Sequence, residues 1–113
     1  MSLTVAGRRD IVVDQGADWG PLVVAYQADG ATDSVMSAPN AEVRAVDGGA
    51  LVATFAAALQ AGGTEIALTI DEVSTALMAP GRHLWDLFAT EAGGDRVRLL
   101  YGEVTVRKAV TGG

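Results

Sequence analysis

The 113-residue sequence has no cysteine and a single histidine, His83. Without thiols there is no disulfide, no thiolate metal site and no cysteine nucleophile. One imidazole is also too few strong ligands for a zinc centre of the usual kind. Aromatic residues are 5% of the chain, so Ala, Val and Leu must fill the core. Basic residues number eight against fourteen acidic ones, for a net charge of −6. They are scattered (Arg8–Arg9, Arg44, Arg82, Arg96, Arg98, Arg107–Lys108), whereas a nucleic-acid surface clusters them. No apolar run is long enough for a bilayer: the longest, Ala50–Leu59, is interrupted by Thr54. The opening MSLTVAGRRD places its arginines after its apolar residues, the reverse of a secretion signal. A soluble, non-secreted protein is expected, with neither nucleic acid nor membrane as partner.

What is present is a succession of short apolar segments punctuated by Gly, Pro and Asp. The clearest is the stretch Arg82–Thr111, which reads as two long strands, Leu84–Glu91 and Arg96–Val106, joined by a turn around Gly93–Gly94–Asp95. Trp85, Leu87, Leu100 and Val104 are its expected core residues. Upstream, Ile11–Asp14 is a short strand entering the loop Gln15–Gly16–Ala17. Trp19 opens another, broken at Gly20–Pro21 and continuing as Leu22–Gln27 to Asp29–Gly30. Ala31–Asn40, with Pro39, reads as a polar loop, and Glu42–Val46 as a strand stopped by Asp47–Gly48–Gly49.

Leu51–Leu59 mixes signals: Leu51, Val52, Thr54 and Phe55 favour a strand, Ala56–Ala57–Ala58–Leu59 a helix. A strand through Phe55 followed by a loop is the expectation. Thr64–Ile70 alternates, with Ile66, Leu68 and Ile70 on one face. Asp71 then caps a short helical turn within 71–78, ended by Pro80–Gly81. Six or seven short strands between turns indicate an all-β sandwich or barrel in one domain over 1–113, with loose arms at about 1–8 and 107–113.

A search for chemistry finds little. His83 and Asp86 lie three apart on a strand and so face opposite ways, which prevents a direct acid–base pair. Ser2, Ser34, Ser37 and Ser74 lack a nucleophile-elbow context. Asp10, Asp14 and Asp18 recur every four residues without the alternating ligands and closing glutamate of a calcium loop. Asp29 and Asp33 beside Gly30 read as turn residues. The pieces QGADWG, DGG and AGG carry no phosphate-loop lysine and read as turns. No catalytic residue, cofactor-binding residue or metal ligand is therefore assigned, no cofactor is expected, and the protein is expected not to be an enzyme. Trp19, Tyr26, Phe55, Trp85, Phe88 and Tyr101 read as core anchors, with a ligand-stacking surface as the alternative. Asp86 is out of character for its strand. Turned inward it needs Arg82 or Arg98 as a partner; turned outward it is solvated.

The order of these features resembles small β-sandwich proteins of tailed bacteriophages. The likeness is carried by Asp10–Ile11–Val12 leading into Gln15–Gly16–Ala17–Asp18–Trp19, and by Leu68–Thr69–Ile70 before the turn at 71–78. It continues through Leu84–Trp85–Asp86–Leu87, the Gly93–Gly94 turn, Arg98–Leu99–Leu100, Gly102–Glu103–Val104–Thr105–Val106 and Val110–Thr111. The resemblance implies an immunoglobulin-like antiparallel β-sandwich and a structural role in a virion assembled in the host cytoplasm. It points to a minor tail, fibre-connector, baseplate-collar or tail-junction subunit. Its expected partners are other virion proteins and copies of itself in a ring or array, packed by sheet edges and arms. The alternatives are a capsid decoration protein, or a carbohydrate- or receptor-binding module presenting Trp19, Trp85 or Tyr101.

Overall fold

The computed structural model describes residues 3–5, 7–27, 34–46 and 49–110. Ser2, Asp29–Gly30, Asp33, Asp47–Gly48 and residues 111–113, about which the sequence raised expectations, lie outside them. In chain order the strands are β1 (Leu3–Val5), β2 (Gly7–Arg8), β3 (Ile11–Asp14), β4 (Trp19–Ala25), β5 (Met36–Ala45), β6 (Leu51–Thr54) and β7 (Ala56–Gln60). Then follow β8 (Glu65–Ile70), one short helix α1 (Glu72–Ala76), β9 (Gly81–Glu91) and β10 (Arg96–Arg107). Of the expected arms, Leu3–Val5 and Gly7–Arg8 are thus strands, and Arg107 closes β10.

Two sheets face each other, an immunoglobulin-like sandwich. The smaller runs β1-β4-β8-β7; the larger runs β2-β10-β9-β5-β6, with β3 also pairing β10. The ladders are antiparallel except along one flank, where β1 runs parallel to β4, and β2 and β3 parallel to β10.

Alternation decides the inner faces. His83, Trp85, Leu87 and Ala89 of β9 point inward, as do Ile66, Leu68 and Ile70 of β8. They meet Val13, Leu22, Val24, Val43, Leu100 and Val104 in one apolar core. Phe55 is buried where the chain leaves β6 in one sheet and enters β7 in the other. Its ring lies 5.5 Å from Trp19, edge-on, and 5.3 Å from Trp85. Such offset aromatic contacts suit the ring quadrupoles, and together they fill the sandwich where the strand changes sheets.

The long hairpin forms as its composition demands, and β9 begins three residues earlier than expected, at Gly81. Its turn closes with Gly94 N–H donating to Glu91 O at 2.9 Å, and Gly94 takes the positive φ of 93° that a side chain resists. Two expectations are corrected. Ala56–Gln60 is a strand, not a loop: pairing with β8 outweighs the helix preference of three alanines, which is small per residue and too short a run to nucleate a helix. Met36–Asn40 also belongs to a strand. Pro39 is accommodated because the register shifts between Ser37 and Asn40, so the position without an N–H falls in an irregularity. Asp71 caps α1 as expected, its carboxylate accepting Ser74 N–H at 2.8 Å.

The turn between β3 and β4 is fastened from inside. The Thr75 hydroxyl is fully buried, donates to Ala17 O at 2.8 Å and accepts Gly16 N–H at 3.1 Å. Gln15 reaches further: its Nε2 donates to Met78 O at 2.8 Å, and its Oε1 accepts Ala109 N–H at 3.1 Å.

Candidate functional site

The outer face of the larger sheet carries charge where a sheet normally meets water. Cross-strand register sets one row of side chains across five strands: Arg8, Tyr101, Asp86, Glu42 and Thr54. Beside it runs a second row, Glu103, Leu84, Arg44 and Leu51. On the other side Arg98 faces Phe88, and Phe88 faces Asn40. Directly opposed residues on one face have Cβ atoms about 5 Å apart, so these rows form a contiguous surface.

A β-bulge gives that surface its relief. Between Arg98 and Leu100 the register with β9 shifts, and Leu99 and Leu100 are both buried. Arg98 and Tyr101 are left as outward neighbours three positions apart instead of two. Extra twist at such a bulge re-aims the flanking side chains. The Arg98 guanidinium folds over the Tyr101 ring, 4.4 Å from its centroid. The result is a groove of about 340 Å³ around Asp86, walled by Arg8, Glu42, Arg44, Arg98 and Tyr101 and reaching Gly102.

Most charges around the groove are neutralised locally. Arg44 donates to Glu42 Oε1 from Nη2 at 2.8 Å and from Nε at 3.2 Å. Arg8 pairs with Asp10 at 3.2 Å, and Arg82 with Glu103 at 3.5 Å. Asp86 is different. It faces outward, is half-buried, and among the described residues it is in no ion pair. Partial burial pushes its carboxyl above the ordinary range; Arg98 and Arg44 oppose that shift and Glu42 adds to it. Neither partner anticipated from the sequence closes on it, since Arg82 is taken by Glu103 and Arg98 lies over Tyr101.

His83 and the recurring aspartates singled out from the sequence do not join the groove. His83 is on the inner face, its Nε2 2.8 Å from Ala79 O, while Asp86 three residues on is outside. The four-residue aspartate series is a set of structural ties. Asp10 accepts the Glu103 N–H at 2.9 Å, and this bond holds its carboxyl below the usual range, helped by Arg8 and opposed by desolvation. Asp14 is held low by Arg107, whose Nε and Nη2 reach it at 2.6 and 3.0 Å. Asp18 accepts the Glu72 N–H at 2.8 Å. Trp85 is buried and cannot present a stacking surface, and Tyr101 already carries Arg98.

Among the described residues the transition-metal donors are not brought together either. Met36 and Met78 are buried in the core, His83 is bonded to the main chain, and no cysteine exists. Among the described residues no group of three or more His, Cys, Asp or Glu side chains is placed to hold a metal ion. No described helix is long and apolar enough to cross a membrane.

The fold belongs to the class of immunoglobulin-like β-sandwiches. Within that class the chain is similar to CopC from Methylosinus trichosporium OB3b, with a TM-score of 0.54, 17% identity and 93% of each chain covered. At that identity the likeness is one of fold. No family model matches the sequence, and no curated protein does. These findings correct the expectation of a tailed-phage virion protein, whether minor tail, connector, collar or decoration subunit: the shared fold is that of CopC, and nothing connects the chain with a phage particle. The physical reason is plain. An order of strands and turns is dictated by sandwich geometry, so chains with unrelated tasks share it.

Proposed function

We propose that this β-sandwich is a non-enzymatic recognition domain that holds a polypeptide segment, bearing neighbouring basic and acidic side chains, in the groove around Asp86. The observation that carries this reading is the pairing state of the charges. Among the described residues Asp86 is in no ion pair, and the Arg98 guanidinium lies over the Tyr101 ring instead of closing on a carboxylate. A partner ammonium placed on Asp86 and a carboxylate placed on Arg98 would complete both. Each would gain a charge-assisted hydrogen bond in a partly desolvated setting.

The shape of the site supports a polypeptide over a small metabolite. Enclosed small-molecule pockets bury about 70–90% of their ligand, whereas this groove lies open along a sheet face, where an extended chain can lie across it. The placement of the imidazole supports the non-enzymatic part of this reading. The one imidazole is turned into the core and bonded to Ala79 O, away from the carboxylates of the groove.

The test uses an array of synthetic peptides carrying Lys and Glu two positions apart, so that both face the sheet. Affinities of the bound members are then measured by calorimetry. The expected result is binding that falls with salt and weakens about tenfold or more in D86N and in R98A, with both variants folded by circular dichroism. Failure of the whole array to bind, or equal affinity for the wild type and both variants, overturns the reading.

A further inference from the structure

Asp86 has another acid as its direct neighbour. The register of β5 with β9 sets it opposite Glu42, and the register of β9 with β10 sets it opposite Tyr101. Like charges placed directly across two strands disfavour each other. Along β9 the outward positions on either side of Asp86 hold Leu84 and Phe88, which exclude water and offer no donor. The nearby cations are committed elsewhere. On β5, Arg44 lies diagonal to Asp86 and donates to Glu42. On β10, Arg98 lies over the Tyr101 ring, while Glu103 pairs with Arg82 of β9. On β2, Arg8 pairs with Asp10. The Asp86 carboxylate is therefore half-buried beside a second acid, and among the described residues it is in no ion pair.

A carboxylate so placed is relieved in one of two ways: it takes up a proton, or a cation is brought to it. We infer that the groove trades one for the other, Asp86 holding a proton in acid while the groove is empty and releasing it to solvent when the ammonium of a bound peptide is seated. The inference names the regulation of the groove and rests on its reading as a peptide site. Proton and ammonium compete for the same oxygen atoms, so each weakens the binding of the other by the same factor. Burial already raises the free carboxyl, with Arg98 and Arg44 opposing and Glu42 adding. An ammonium in contact lowers it. Between the free and bound midpoints, binding releases up to one proton, and affinity climbs by up to about tenfold per pH unit. Above the free midpoint the dependence vanishes. The groove thus holds its peptide near neutrality and sheds it in acid.

Two measurements test this. The first needs no ligand. The side-chain carboxyl carbon of Asp86, identified by its loss in D86N, is followed by NMR from about pH 3 to about pH 7. Its midpoint is expected above that of an ordinary aspartate, about 3.9, and lower in E42Q, where the facing charge is gone. The second is calorimetry over the same range, with a lysine peptide in which cysteic acid replaces glutamate so that the peptide's own acid does not titrate. Each pH is run in two buffers of different ionisation heat, which counts the protons released. The count should rise towards one below the free Asp86 midpoint, fall to nothing near neutrality and be absent in D86N. The affinities of wild type and D86N should converge as pH falls. A midpoint at or below the ordinary value, or one that E42Q leaves unmoved, overturns the inference whatever binds. So does a peptide that needs Asp86 yet binds without releasing a proton, and in that case the peptide reading stands. If no peptide binds at any pH, both fall.

Discussion

The indole N–H of Trp85 donates to the main-chain carbonyl oxygen of Arg9 at 2.7 Å, across 76 positions of sequence. A core side chain of β9 thereby fixes the bend between β2 and β3. Arg9 N–H in turn donates to Tyr101 O at 2.8 Å, so the bend lies directly against β10. The position where it lands is Gly102. A Cβ there would fall on the Arg9 carbonyl and beside the Asp10 carboxylate. The edge strand, the core tryptophan and the floor of the groove therefore depend on one residue having no side chain.

Substitution of that residue is the first prediction. Gly102→Ala should destabilise the fold by about 1–3 kcal/mol, the usual cost of overpacking a closed site, or somewhat more because the obstacle is backbone. Urea unfolding followed by tryptophan fluorescence measures it. An unchanged midpoint would show that the bend can move off β10 freely.

The second prediction concerns the buried hydroxyl of Thr75, which satisfies Gly16 N–H and Ala17 O at once. Thr75→Val keeps the shape and removes both bonds, leaving two backbone groups without their partner. The expected loss is about 1–3 kcal/mol. Hydrogen exchange should show the Gly16 amide losing protection well before the β9–β10 amides do; uniform loss along the chain would contradict this assignment.

The dependence of stability on pH is the third. Asp10, Asp14 and Asp71 have carboxyls held below their ordinary values by hydrogen bonds, from Glu103 N–H, Arg107 and Ser74 N–H respectively. Their stabilisation is complete above the unfolded value, about 3.9, and is lost as pH falls through the lowered folded values. Asp86 has the opposite sign, because burial raises its carboxyl. Stability tied to it is complete below the unfolded value and is lost as pH rises through the folded one. Asp86→Asn should thus raise the melting temperature near neutrality, with the gain shrinking to nothing in acid. Melting curves of both proteins across the acidic range decide it, and a variant less stable than the wild type near neutrality would reverse the assignment.

The hairpin of β9 and β10 was legible in the sequence because alternation over long arms is a local signal. His83, Trp85, Leu87 and Ala89 fall inward at every second position, as the pattern requires. The bulge at Leu99–Leu100 was not, since two adjacent apolar residues fit either face until the partner strand fixes the register. Ala56–Ala58 misled for a related reason: the helix preference of so short a run is overridden by pairing with a neighbouring strand. Pro39 misled because a proline can be tolerated in a strand at a register shift that only pairing creates. Of the groove, Asp86 stood out as an acid in an apolar strand, with Arg98 named as a partner for it and Tyr101 as a stacking surface. Its neighbours Arg8, Glu42, Arg98 and Tyr101 come from three other strands, β2, β5 and β10, and no spacing along the chain announces that they meet.

The parallel pairing of β3 with β10 sets residues 11–14 against residues 104–107. On a ribosome the first of these segments emerges long before the second is made. Until β10 leaves the exit tunnel, Ile11 and Val13, both buried in the finished sandwich, have no strand to join. The larger sheet therefore cannot be completed progressively from its N-terminal end. Nascent chains stalled before residue 104 should remain open to protease at β3, and those extended past residue 107 with enough linker to clear the tunnel should close in a single step.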